Sequence, residues 1–134
     1  MGLIIITMKA FLVVAMTLIL NLTTDTNSIY GTWELVKIEL EHETLYAQAN
    51  RYKCSISEKM ISFNLEINQC QSHISSLDDK QLIAEDAMCT EICCDGRSDS
   101  ISNYINYSGL YQIAENQLVF TNKNAKVFLK RVSE

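Results

Sequence analysis

Hydrophobic and polar residues alternate most cleanly between Ile61 and Asn68, where Ile61, Phe63, Leu65 and Ile67 interleave with Ser62, Asn64, Glu66 and Asn68. A period of two puts the two sets on opposite faces of an extended strand. Beyond it the chain crosses a polar turn at Asp78-Asp79-Lys80 and enters a cysteine-rich segment ending at Asp95. Two hairpins are therefore predicted. Arg51 to Ile56 returns as Met60 to Ile67 across Ser57-Glu58-Lys59, and Cys70 to Ser76 returns as Gln81 to Cys89. A turn centred between Asp79 and Lys80 sets Cys70 opposite Cys89, whereas a slip of one residue would change the pairing.

Upstream, Gly31 to Ile38 reads as a strand in which Trp33 and Leu35 share a face. Val36, Ile38 and Leu40 then take the other phase, which predicts a bulge or strong twist near Leu35-Val36. Trp33 is the only tryptophan and is expected to plug the mouth of a sheet or barrel. Glu39 to Asn50 is polar and is read as a loop with a short helical turn. Downstream, Ser98 or Asp99 is expected to cap a short helix that sets Ile101, Tyr104 and Ile105 on one face and stops at Gly109. Leu110 to Ala114, Leu118 to Thr121 and Lys126 to Val132 read as three closing strands joined by Asn-rich turns. About seven short antiparallel strands with one short helix predict an α+β fold, mostly antiparallel β and barrel-like, and not a parallel α/β one.

The first 28 residues read differently. Lys9 precedes the apolar run Ala10 to Leu20, eleven residues long, which suits a signal-peptide core and falls short of the roughly 20 residues that span a bilayer. Counted from Met1 the apolar stretch is longer, so an uncleaved anchor competes with cleavage after Thr26-x-Ser28. Residues 29–134 then form a single domain with one modest core. Export places Cys54, Cys70, Cys89, Cys93 and Cys94 in an oxidising compartment, where one or two disulfides and an odd thiol are expected. A metal site from Cys89, Cys93, Cys94 and His73 lacks the spacing of known ligand pairs, and no metal is expected.

The formal net charge of -5 is unchanged by removal of residues 1–28, which carry one Lys (Lys9) and one acid (Asp25). An acidic chain without a Lys/Arg cluster is a poor partner for nucleic acid or anionic lipid. Lys123, Lys126, Lys130 and Arg131 gather on the last predicted strand and read as a solvated edge that discourages aggregation. Membrane contact is expected only if the N-terminal segment stays uncleaved. The chain is otherwise expected to be a monomer with an unidentified protein partner.

In order along the chain, Gly31-x-Trp33-x-Leu35, Ile61-Ser-Phe63, Asn68-Gln-Cys70, Thr90-Glu-Ile92-Cys93-Cys94, Tyr111-Gln-Ile113 and Leu118-Val-Phe120 resemble the signatures of the META domain family. These are small secreted or envelope domains of bacterial heat-shock and lipoprotein-type proteins. The likeness spans residues 31–132, lacks the family's usual glycines after Cys70, and offers no counterpart for Cys54, Cys89 or Cys93. It implies an exported, non-catalytic module acting through protein contacts at the cell envelope in stress tolerance. It also implies that Cys70 pairs with Cys94, which is the preferred bridge over the register pairing with Cys89. A second bridge would then join Cys54 to Cys89 or Cys93.

Chemistry is sparse. Neither His42 nor His73 sits in a nucleophile motif, and no phosphate-cradling glycine loop or calcium loop occurs. Cys70 and His73 at i, i+3 on a strand point to opposite faces, so no thiol–base pair is expected. Asp78-Asp79 reads as turn chemistry; in Glu85-Asp86 one carboxylate points outward and the other lies near the core rim. Asn106-Tyr-Ser108 is a glycosylation acceptor only in a eukaryotic secretory host. No catalytic residue and no cofactor are expected. The alternative is a lipocalin-like carrier of a small apolar ligand, opened by Gly31-x-Trp33, with Trp33, Phe63, Tyr104, Tyr111 and Phe120 lining its cavity.

Overall fold

The computed structural model describes residues 28–65, 67–90 and 101–133. The segment read as signal peptide or anchor lies outside the described residues, as do Cys93, Cys94 and the helix caps Ser98 and Asp99. Ten strands follow one another: β1 (Gly31–Glu39), β2 (Thr44–Tyr46), β3 (Lys53–Ile56), β4 (Met60–Leu65), β5 (Asn68–Leu77), β6 (Gln81–Ala84), β7 (Met88–Cys89), β8 (Gly109–Ala114), β9 (Gln117–Thr121) and β10 (Lys126–Arg131). Neighbours pair in the order β1-β3-β4-β5-β6-β8-β9-β10, and β10 pairs back onto β1, so eight strands close a ring. β2 and β7 are short continuations: β1 pairs β3 through Gly31–Glu34 and β2 through Lys37–Glu39, and β5 carries β7 beyond β6.

This closed antiparallel barrel corrects the expected α+β class. No α-helix occurs among the described residues. Where a helix was expected, a single 3-10 turn spans Ser102–Tyr104 and Ile105 is already extended, with φ -65° and ψ 116°. Ile101 is buried and Tyr104 exposed, so the i, i+3, i+4 apolar spacing marks a few inward contacts of an irregular segment. Gly109 opens β8 instead of ending a helix. The polar stretch Glu39 to Asn50 likewise contributes β2 where a loop with a helical turn was expected.

The inward set fills the ring. Trp33, Leu35, Ile38, Cys54, Ile61, Leu82, Leu118, Phe120, Val127 and Leu129 are buried, joined by Tyr52 just before β3. The phase change in β1 is a bulge as expected: Leu35 faces Leu129 and Lys37 faces Phe128, leaving Val36 as the extra residue. Ile67 lies beyond the end of β4 and is exposed, so the alternation overran the strand by one inward position.

Strand directions sort the connections into two ends. The β3–β4, β5–β6 and β8–β9 turns lie at the end where β1 begins and β10 finishes. That end is plugged. Trp33 is fully buried, its Nε1 donates to the Ile29 carbonyl at 2.8 Å, and the Arg131 guanidinium lies 4.1 Å above its ring. Arg131 also donates to the Tyr30 carbonyl at 3.0 Å and to the Ser28 carbonyl. β10 is therefore no solvated edge: it is flanked by β1 and β9, and Lys130 reaches Glu34 at 3.3 Å.

The disulfide joins Cys70 to Cys89, the pair that the hairpin register sets face to face. This overturns the Cys70–Cys94 bridge implied by the family resemblance. Nor does Cys54 bridge to Cys89. It is a free, buried thiol on β3, two strands from Cys70 in the cross-strand row Cys54, Phe63, Cys70, Cys89.

Candidate functional site

A cavity opens beside residues 105–108, towards the end of the barrel away from Trp33, and local strand pairing explains it. β6 meets β8 only through Gln81–Leu110 and Leu82–Gly109, so the two strands part beyond Leu82. The Ser108 side chain occupies the split: the Ala84 N–H donates to its Oγ at 3.1 Å, and that hydroxyl donates to the Leu82 carbonyl at 3.2 Å. Residues 105–108 thereby become an extra wall. The cavity between this wall and β4, β5 and β6 measures about 320 Å³. An eight-stranded barrel is just wide enough for its side chains or for one small ligand, and this volume sits at the lower end of ligand pockets.

Its deep surface is apolar. Ile61 and Phe63 come from β4, Ala84 from β6, and Ile105 and Tyr107 from the inserted segment. Tyr107 turns into the barrel, with its ring 5.2 Å from Phe63 and 6.3 Å from Phe120, both edge-on. Its hydroxyl is buried without a hydrogen-bond partner; burial pushes its pKa well up, with Cys54 and Tyr52 adding to the rise. Ser72 is buried in the depth opposite Ile61, and the rim is polar: Glu85, Asp86, Asn106 and Ser108. Ser72 Oγ donates to the Glu85 carbonyl and the Glu85 N–H donates to the His73 carbonyl at 2.8 Å. Those bonds, with the Cys70–Cys89 bridge four residues further on, hold the 85–87 connector in place.

Only part of the expected lining is found here. Phe63 lines the cavity, Trp33 closes the opposite end, and Phe120 lies beneath Tyr107. Tyr111 donates to the Asp78 carbonyl at 2.6 Å, at the plugged end. Tyr104 belongs to a second, open groove of about 790 Å³ between residues 39–43 and 121–126. Sequence reasoning missed Tyr107, which sits within the Asn106-Tyr-Ser108 triplet noted for another reason. It also split Glu85 and Asp86 between two faces, whereas both line the rim.

Among the described residues the sulfur chemistry is committed. Cys70 is oxidised, and His73 is exposed on the outer face of β5. Cys89, considered as a metal ligand with Cys93, Cys94 and His73, has its sulfur bonded to Cys70. Burial pushes the Cys54 thiol far up, which suppresses the reactive thiolate. Among the described residues no group of three His, Cys, Asp or Glu side chains is placed to hold a metal, and no helix is long and apolar enough to cross a membrane. No family model, curated protein or solved structure matches the chain.

Proposed function

We propose that the protein is a non-catalytic, exported carrier of a small, mainly apolar ligand, lipocalin-like in architecture. The observation that carries this reading is the cavity of about 320 Å³ inside one end of a closed barrel, with the other end sealed by Trp33 and Arg131. A packed barrel needs no such space, and residual cavities in cores are costly. Export is supported by the apolar N-terminal run and by the Cys70–Cys89 disulfide, a bond that persists outside the reducing cytosol.

A thermal-shift screen against small apolar compounds tests the reading, because a ligand that binds only the folded state raises the melting temperature with concentration. The shift should disappear in Ala84→Leu, which adds bulk to the cavity wall. A panel that leaves the melting temperature unmoved overturns the proposal. It would favour an exported module of META type acting through protein contacts, a reading supported by the exposed apolar side chains of Tyr46, Met88 and Leu110 on the outer surface.

A further inference from the structure

We propose that the cavity selects a small organic cation, with an apolar body against Ile61 and Phe63 and an ammonium at the Glu85–Asp86 rim; this rests on the carrier reading of the same cavity. Three observations converge. First, Glu85 and Asp86, both exposed, are among the residues that line the cavity, and neither is ion-paired with a basic side chain among the described residues. Second, no Lys, Arg or His contributes to the lining among those residues, so an anionic ligand finds no counter-charge there. Third, the serine hydroxyls of the lining already donate within the protein, Ser72 to the Glu85 carbonyl and Ser108 to the Leu82 carbonyl. The lining also keeps two neutral donors, the Tyr107 hydroxyl and the Asn106 amide, but its only formal charge among the described residues is negative, the complement of an ammonium with several N–H donors.

The surroundings add to this preference. Phe63 is half-buried and meets Tyr107 edge-on, an aromatic contact surface for the apolar body of the ligand. The net charge of -5 biases the approach of cations over anions at low ionic strength.

Three probes of similar size decide it: benzylammonium, benzyl alcohol and benzoate, each titrated into the intact protein by calorimetry at low and at high salt. Benzylammonium should bind on the order of tenfold tighter than the alcohol, an advantage the size of one or two exposed ion pairs, and benzoate should be weakest. Salt should shrink the ammonium's advantage and leave the alcohol unmoved. In the double variant Glu85→Gln, Asp86→Asn the ammonium should fall to the alcohol's affinity. Unchanged alcohol binding in that variant shows that the cavity has kept its shape. Equal binding of all three probes overturns the charge selection and leaves the carrier reading standing. Binding of none of them overturns both, whereas ammonium binding that survives Ala84→Leu places the cation on the surface outside the cavity and overturns the charge selection alone.

Discussion

A single indole and a single guanidinium decide whether this barrel has one mouth or two. Trp33 is fully buried at the end where β1 begins, and Arg131 covers its ring at 4.1 Å while donating to carbonyls that precede β1. Arg131 thus ties both chain ends of the barrel to one aromatic plate. Replacing it with Ala should lower stability by about 2–4 kcal/mol, the sum of a part-exposed cation–π contact and a lost charged hydrogen bond. A double-mutant cycle with Trp33→Leu, followed by urea unfolding, should give a coupling energy of roughly 0.5–2 kcal/mol. Additive single mutants would mean that Arg131 merely lies nearby. Cys54 makes a second prediction at this scale. Its thiol is buried and held protonated, so iodoacetamide should leave it unmodified in the native protein and alkylate it in denaturant, read by peptide mapping.

Elements were legible wherever local alternation and turn chemistry agreed. β4 announces itself through Ile61 and Phe63, and the bulge at Val36 through the phase slip between Leu35 and Ile38. The register of β5 against the β6–β7 strand follows from Asp78, whose carboxylate accepts from the Lys80 and Gln81 N–H groups at 2.8 and 2.7 Å and so fixes the turn. β2 was not legible. Its three residues bury little, and only pairing with β1 makes them a strand. Between β2 and β3 the chain loops out, with Asn50 at φ 63° donating its N–H to the carboxylate of Glu34. That bond, followed by Lys130 and then Lys53, holds the Glu34 carboxyl below its usual value of 4.5 despite burial. The folded pKa thus lies below the unfolded one, so the contribution is complete above about pH 4.5 and is lost as pH falls through the folded value. Glu34→Gln should accordingly lower the melting temperature at pH 7 and narrow its gap to the wild type as pH drops towards 3. A constant gap across that range would remove Glu34 from the acid response. Gly109 is the other fixed point of an element. At φ +134° an added Cβ would lie 2.6 Å from the Thr121 carbonyl oxygen, so Gly109→Ala should cost about 1–3 kcal/mol and loosen the β8–β9 ribbon, visible as faster amide exchange there.

At the scale of the whole molecule, the run of short antiparallel strands predicted a barrel-like sheet, and the eight-stranded barrel fits that, but the seam that closes it was not legible. The pairing of β10 with β1 joins residues about a hundred positions apart, such as Trp33 and Arg131, and it turns an apparent basic edge into an interior seam. The cavity is equally non-local, since it exists only because β8 leaves β6 after two residue pairs and residues 105–108 fold into the split. One covalent bond acts at the same scale. Cys70–Cys89 closes a loop of 19 residues, and the chain-entropy estimate for that length is about 3 kcal/mol. The bridge also anchors β7 and, through it, the 85–87 connector that carries the rim carboxylates. These two roles separate in the variant Cys70→Ser, Cys89→Ser. Its urea midpoint should fall by the equivalent of about 3 kcal/mol while the barrel strands keep their slow amide exchange. Exchange should rise in the 85–89 segment, whose remaining ties are the Ser72–Glu85 and Glu85–His73 hydrogen bonds and the short β7 ladder. Unfolding of the entire barrel in that variant would instead make the disulfide a condition of closure, with β1–β10 pairing unable to hold the ring unaided.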